Sequence, residues 1–234
     1  MSTLREDAQS VIEAALQEAQ PKAALRRALG NVRLYGGRLR VIAIGKAAWS
    51  MAAAAIEEMG ERIECGLVIT KYGHAHGTLP RFTIMEAGHP MPDENSVRAA
   101  DAAIAMVQGL NVDDTVLMLI SGGGSALFEK PLVPLPLFET TTNALWHSGA
   151  SITEMNIIRK RLSAVKGGRF AALCAPARVL TVALSDVLGD DPAVIASGPA
   201  YPDSSTSADA LAIVRQYGLK LDQETLRLLG VMAY

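Results

Sequence analysis

Three short stretches of the sequence, each directly after a predicted strand, carry charged or hydroxyl side chains, and two of them also contain glycine. Lys46 follows Gly45, and Asp186 follows Ser185. The third stretch consists of Ser121, Gly122, Gly123, Gly124 and Ser125. Successive amides of a glycine-rich loop can converge on an anion, an ammonium group adds positive charge, and a carboxylate can hold a divalent cation. These residue types predict a site for an anion such as phosphate.

The glycine-rich stretch 121–125 matches neither the Walker sequence nor the GxGxxG sequence of dinucleotide-binding proteins. Glycine permits positive φ and close approach of the backbone, so a tight flexible turn is the alternative to an anion site. Ligands of open parallel sheets bind beyond the carboxyl ends of the strands, and this position favours the anion site. For Lys46, a solvated lysine is the alternative to a phosphate contact.

A second group of polar residues lies on or just after a predicted helix, which a Ser151–Glu154 capping box begins. Its members are Glu154, Asn156, Arg159 and Lys166. Helical spacing places Asn156 and Arg159 on neighbouring turns, and the Gly-Gly pair after Lys166 is unfavourable in a helix unless the backbone approaches another group closely. The four cations of 159–166 predict a local basic patch, with a solvated charged helix face as the alternative; they are Arg159, Lys160, Arg161 and Lys166.

Acidic residues follow the last predicted strand. Asp186 and Asp190 suit Mg²⁺, which takes one or two protein oxygens and fills its other positions with water and phosphate. The alternative is that Asp190 or Asp191 only caps a helix that begins near Pro192.

Three histidines are weaker candidates. His74 and His76 resemble a metal-binding pair, but no further ligand spacing supports one, so we expect a loop there. His89 lies in a proline-rich turn, from which it could contact a ligand.

The elements that must position these residues alternate between strand and helix. Strands are predicted near 40–45, 66–70, 82–86, 115–120 and 178–184. Helices are predicted over 3–29, 46–60, 93–108, 151–162, 207–217 and 222–229. Continuous apolar strands that alternate with helices predict an α/β fold, with a mostly parallel sheet covered on both faces. The proline-rich segment 130–138 is predicted as a surface connection.

Composition excludes several classes of protein. The 234 residues are 50% hydrophobic and 20% charged, with a net charge of −2, which argues against intrinsic disorder and against general attraction to nucleic acid. Cys65 and Cys174 are isolated and fit thiols in a reducing compartment. Acidic residues stand where a signal peptide would be apolar, and the apolar runs are too short to span a bilayer. We expect a cytoplasmic protein with no nucleic-acid or membrane partner.

Six stretches, in order along the chain, carry a resemblance to a known family. They are AIGKAAWSMA (43–52), TKYGHA (70–75), EAGHPMPDENSVRAA (86–100), LISGGGSALFEKP (119–131), GASITEMNIIRKRLSAVKGGRFA (149–171) and LSDVLGDDPAVIASGPAYPDSSTSADALAIVRQYG (184–218). They resemble the N-terminal domain of the class II glycerate 2-kinases, a family also labelled hydroxypyruvate reductase. The resemblance covers nearly the whole chain.

The resemblance implies a Rossmann-like α/β domain and ATP-dependent, Mg²⁺-assisted phosphorylation of D-glycerate at its 2-hydroxyl. Lys46 would be the catalytic lysine, which stabilises charge on the transferring phosphoryl group. The stretch 121–125 would hold phosphate or the glycerate carboxylate. The cleft would be lined by Glu154, Asn156, Arg159 and Lys166. Asp186 and Asp190 would hold Mg²⁺ or act on the substrate hydroxyl.

The family also implies a second, C-terminal domain that shares the cleft. The sequence ends shortly after the first domain is expected to end, so we expect residues 1–234 to form one N-terminal domain without the C-terminal domain. An exposed half-cleft favours a homodimer. Two alternatives stay open: an NAD(P)H-dependent hydroxypyruvate reductase, against which the missing GxGxxG speaks, and an inactive truncated domain that only binds anions or self-associates.

Overall fold

In the computed structural model, five strands form one sheet. They are β1 (Leu39–Ile44), β2 (Ile63–Lys71), β3 (Phe82–Ala87), β4 (Thr115–Ile120) and β5 (Arg178–Ala183). Their order across the sheet is β3-β2-β1-β4-β5, and each neighbouring pair is parallel. The structure describes residues 3–18, 20–30, 32, 34, 36–185 and 187–230. The predicted α/β class and parallel sheet are therefore confirmed, and each strand lies within a few residues of its predicted position.

Helices connect and cover the strands. They are α1 (Leu4–Glu18), α2 (Pro21–Leu29), α3 (Ala48–Met59), α4 (Glu94–Met106), α5 (Gly124–Leu127), α6 (Leu135–His147), α7 (Ile152–Arg161), α8 (Arg169–Leu173), α9 (Ser207–Gln216) and α10 (Gln223–Gly230). None of the helices in the described part of the chain has the length and apolarity that crossing a membrane requires.

The start of the chain differs from the single helix predicted over 3–29, because α1 ends at Glu18 and α2 begins at Pro21. Gln20 has an extended backbone with ψ of 144°, as expected of a residue that precedes proline. Proline suits the first turn of α2, where no amide donor is needed. The proline therefore divides what the apolar spacing alone predicts as one helix.

Both faces of the sheet are buried. Ile42 and Ile44 of β1 pack with alanines of α4 on one face, whereas Val41 and Ala43 pack with α3 on the other. Successive side chains of a strand point to opposite sides, so the apolar run of β1 contributes to two separate cores. A third apolar cluster joins α6, α7, α9 and α10 beside the sheet.

The segment 130–138 is more than the surface connection that its prolines predict, and that prediction was wrong. Pro131 pairs with Ser163 in an isolated antiparallel bridge, and Val133 and Phe138 are buried in the third cluster. Pro136 lies in the first turn of α6, a position that tolerates proline. The segment therefore leads directly into a helix of the core.

Candidate functional site

The loops that follow β1 and β4 emerge side by side at the carboxyl edge of the sheet. The parallel register pairs Ile44 with Ile120, so Gly45 and Ser121 continue next to each other. The chain passes from β1 to β2 on one side and from β4 to β5 on the other. A sheet opens a ligand-binding crevice where its strand order reverses in this way.

The loops after β1 and β4 pack closely and are joined by hydrogen bonds. Gly45 has φ of +117°, and a Cβ on it would lie 2.2 Å from the Oγ of Ser121. The amide of Lys46 donates to the carbonyl of Gly122 at 2.9 Å, and the amide of Ala47 donates to Ser121 Oγ at 3.0 Å. Glycine is therefore required at position 45. Lys46, the next residue, lies at the crevice between the two loops.

The backbone amides of the glycine-rich loop have no hydrogen-bond acceptor in the part of the chain that the structure describes. Among the described residues, the amides of 122–125 donate no hydrogen bond. Gly123 is left-handed, with φ of +89°, and α5 begins immediately after it. Consecutive amides in such a conformation form a concave nest that binds anions. The geometry therefore suits the phosphate or carboxylate predicted here.

Lys46 and His89 lie over this nest. A Cβ on Gly123 would lie 3.0 Å from His89 Cδ2 and 3.5 Å from Lys46 Cε. Partial burial, together with the positive charges of Lys46 and Lys71, lowers the pKa of His89, which keeps its imidazole neutral. His89 thus joins the site from a turn that the sequence marks only by its prolines.

A hydrogen-bond network of two hydroxyl groups and one amide joins the end of the glycine-rich loop to residues 156 and 197. Ser125 Oγ lies 2.9 Å from Ser197 Oγ, which donates to Asn156 Oδ1 at 3.0 Å. Ser197 and Ala196 are left-handed, with φ of +61° and +51°. Such conformations are unfavourable for residues with a side chain and cluster at ligand-binding sites. Asn156 and Ser125 are brought together as predicted, whereas Ser197 is not among the predicted site residues.

Arg159 and Lys166 reach the loop from behind. Arg159 is 9% exposed, and its Nη2 donates to the carbonyl of Ser125 at 3.3 Å. Lys166 is fully buried, and its Nζ donates to the carbonyls of Gly124 and Ala196 at 3.1 and 3.0 Å. The open surface on the other side of the loop borders a cavity of about 160 Å³, which Ser121, Asn156 and Ala196 help to line. The two cations therefore support the loop from within the protein.

Glu154 is not brought to this cleft. Its carboxylate accepts hydrogen bonds from the amide and hydroxyl of Ser151, which completes the predicted capping box of α7. Tyr217 donates to the same carboxylate at 2.9 Å, and Gln216 at 3.3 Å. The predicted cleft role is therefore corrected: Glu154 begins α7 and ties it to α9.

The acidic residues predicted to hold metal are less well placed. Asp190 is exposed on a turn, with φ of +50°, and borders a cavity of about 490 Å³ beside the end of β5. Asp186 lies outside the described residues. Within the described ranges, no three His, Cys, Asp or Glu side chains form a group that could hold a metal ion.

Proteins of known name are similar to the chain over most of its length. It is 48% identical over 227 residues to a D-glycerate 2-kinase of Thermotoga maritima, a match that covers 96% of this chain and 54% of that protein. It is 45% identical over 217 residues to a protein of Agrobacterium vitis named as a hydroxypyruvate reductase, covering 91% of this chain and 48% of that protein. The chain thus spans about half the length of these curated relatives.

A solved structure and a family match agree with these relatives. The structure of a glycerate kinase from Thermotoga maritima superposes with a TM-score of 0.93 at 47% identity, covering 98% of this chain and 55% of that one. The Rossmann-like fold and the resemblance to glycerate 2-kinases are confirmed. Residues 7–230 match the family described as "Domain of unknown function (DUF4147)", and the chain belongs to that family.

Proposed function

We propose that the chain is the N-terminal domain of a cytoplasmic, ATP-dependent D-glycerate 2-kinase and forms the phosphate-binding wall of its active-site cleft. Phosphoryl transfer depends on positioning and on neutralising the charge of the transferred group. The observation that carries the proposal is that Lys46 and the amides of 122–125, which donate to no described residue, converge at the crevice between β1 and β4. The similarity to a D-glycerate 2-kinase supports the choice of substrate.

Each group in the crevice has a role in this reaction. The ammonium of Lys46 neutralises charge on the γ-phosphoryl group while the amides of 122–125 hold phosphate oxygens. As the 2-hydroxyl oxygen of D-glycerate bonds to the γ-phosphorus, the bond from that phosphorus to ADP breaks. His89 is neutral and lies against Lys46 and Gly123, so its imidazole can accept the hydroxyl proton.

Magnesium fits this site only as a companion of the nucleotide. An ion bound to phosphate oxygens and water needs one or two protein carboxylates. Asp190 provides one exposed carboxylate beside the end of β5, and Asp186 stays a predicted ligand. When bound, Mg²⁺ adds charge neutralisation to that of Lys46.

A chimeric enzyme tests the proposed function. Residues 7–230 replace the matching segment of the Thermotoga maritima enzyme, and ADP release is measured with D-glycerate, ATP and Mg²⁺. We expect the chimera to be active. The isolated chain should have little activity, because it forms only one wall of the cleft, and the loss of even a single transition-state cation costs about 10³–10⁵ in rate. A folded, inactive chimera that contains an unaltered Lys46 would contradict the proposal.

Hydroxypyruvate reduction is the alternative that the name of the Agrobacterium vitis relative suggests. Gly45, Lys46 and Ala47 follow β1 where a nicotinamide-binding protein carries GxGxxG. We therefore expect the same chimera to oxidise no NADH or NADPH when hydroxypyruvate is supplied.

Self-association is a further part of the proposal. Helix α1 has no buried residue, and its apolar side chains are exposed on one face. They are Leu4, Val11, Ile12 and Leu16. Their spacing follows the turns of a helix, which forms a continuous apolar stripe of the kind that mediates contacts between proteins. We propose that two copies of the chain pair through this stripe.

A further inference from the structure

Lys166 combines complete burial with contacts to two separate loops of the site. It follows α7, and its Nζ donates to Gly124 of the glycine-rich loop and to Ala196 of the turn that faces it. An ammonium group without water is costly unless protein dipoles or charges replace the lost hydration. Here the replacement includes two carbonyls whose positions shape the anion-binding loop.

The charges around Lys166 are themselves buried. Glu129 faces it and is fully buried; its Oε1 accepts from Ser163 Oγ and from the amide of Lys130, while its Oε2 has no partner in the described part of the chain. Arg159 approaches from α7. The ring of Phe128 lies 5.5 Å from Lys166 Nζ. Lys166 is thus one member of a compact cluster behind the loop.

The two loops that Lys166 contacts are packed tightly and have unfavourable backbone conformations. A Cβ on Gly124 would lie 2.8 Å from the Cβ of Ala196. Ala196 and Ser197 both have positive φ. Such a backbone persists only where surrounding contacts hold it in place. Lys166 supplies two of these contacts from the buried side, and the hydroxyl pair of Ser125 and Ser197 supplies another.

We propose that Lys166 is a positioning residue, whose ammonium group fixes the carbonyls of Gly124 and Ala196 against each other and so holds the amides of 122–125 in their anion-binding arrangement. This inference rests on the proposed function only for the identity of the anion. It assigns Lys166 a role that differs from the predicted contact with the ligand, because the side chain ends behind the loop.

The protonation state of Lys166 gives this role a distinctive pH dependence. Burial is the main cause that lowers the pKa of Lys166 to about 7; Glu129 opposes the shift and Arg159 adds to it. A charged donor binds a carbonyl more strongly than a neutral one. Anion binding should therefore weaken as the pH rises through the pKa of the folded state. The contribution of Lys166 to global stability should instead rise between this pKa and 10.5, because the unfolded chain then binds more protons.

The test uses sulfate as the probe, because its charge is constant from about pH 6 to about pH 9, the range in which Lys166 titrates. Sulfate affinity and amide hydrogen exchange at 122–125 are measured by NMR in the wild type, in Lys166→Met and in the control Lys130→Met. Lys130 is a partly exposed lysine that pairs with Asp101. We expect Lys166→Met to weaken sulfate binding about tenfold, the scale of a charge-assisted hydrogen bond, and to speed exchange of the loop amides. Lys130→Met should change neither.

The pH series separates positioning from general stability. In the wild type, sulfate affinity should fall as pH rises while resistance to urea increases. In Lys166→Met, the fall around the pKa of Lys166 should disappear, which leaves only the contribution of His89 at the acidic end of the range. Unchanged loop exchange and an unchanged pH profile in Lys166→Met would overturn the inference. If that variant does not fold, the wild-type series decides, since a pH-independent sulfate affinity contradicts the inference by itself. If sulfate binding behaves as expected in the wild type and in Lys166→Met but the chimera is inactive, only the proposed function is refuted.

Discussion

Gly45 and Ser121 follow the ends of the neighbouring strands β1 and β4, and they lie so close together that any side chain at position 45 would collide with Ser121. A Cβ there would lie 2.2 Å from Ser121 Oγ and 2.4 Å from the Ser121 carbonyl oxygen. The contact brings the Lys46 amide to Gly122 and so builds the crevice from two strand ends. The site therefore depends on a backbone approach that only glycine permits.

Gly45→Ala should consequently destabilise the fold by roughly 2–4 kcal/mol, because the new methyl group meets backbone atoms and φ is also unfavourable. Gly109→Ala is the matched control: Gly109 has φ of +67° but nothing within 4 Å of its added Cβ. It should cost only about 1 kcal/mol. Urea denaturation compares the two variants, and equal losses would show that the contact at position 45 relaxes freely.

Two substitutions at Ser197 should separate its hydroxyl from its backbone strain. Ser197→Ala removes the donor to Asn156 and the partner of Ser125, and should cost about 1–3 kcal/mol because buried polar groups lose a bond. Ser197→Gly loses the same hydroxyl but relieves the positive φ, a gain of about 1 kcal/mol. We expect the glycine variant to be the more stable in urea. The reverse order would mean that the left-handed conformation at 197 carries no cost.

Asp114 should make the free energy of unfolding depend on pH in the acidic range. Hydrogen bonds from the guanidinium and amide of Arg38 and from the amide of Asn111 lower its pKa from 3.8 to about 2. Because the folded-state pKa is depressed, the stabilisation is complete above 3.8 and is lost as the pH falls toward 2. Urea denaturation of the wild type and Asp114→Asn across this range should show a difference that shrinks at low pH. A constant difference would contradict this assignment.

The apolar stripe of α1 should control self-association. Leu16→Ser should convert a dimer to a monomer in sedimentation equilibrium, because it interrupts the stripe at an exposed position. Val112→Ser is the control, since Val112 is also an exposed apolar residue and lies outside α1, on the loop before β4. A monomeric wild type, or a Leu16→Ser variant that stays dimeric, would refute the pairing through α1.

The strands were predictable because they are continuous apolar runs between glycine or polar residues, and β4 matches its predicted bounds. The location of the crevice was also predictable, because ligands of parallel sheets bind beyond the carboxyl ends of the strands. Ser197 was harder to assign, because it meets Ser125 across 72 positions of sequence. The burial of Lys166 could not be predicted either, since sequence spacing does not show on which side of a loop the ammonium group of a lysine lies.

Glu154 illustrates a conflict within the sequence interpretation itself. The capping box correctly predicts where α7 begins, and it also occupies the carboxylate that was expected to line the cleft. One side chain rarely serves both purposes, because the cap fixes its direction along the helix end. Local signals of this kind should take precedence over a role inferred from a family.

Binding of MgATP to the chain tests the central claim most directly, namely that Lys46 and the glycine-rich loop bind phosphate. Calorimetric titrations compare the wild type with Lys46→Met and with Lys22→Met, whose exposed lysine on α2 pairs with Glu57. We expect Lys46→Met to weaken binding at least about tenfold, the range for a hydrogen bond to a charged group, and Lys22→Met to leave it unchanged. Equal affinity of Lys46→Met and the wild type would contradict the assignment of this crevice as the phosphate site.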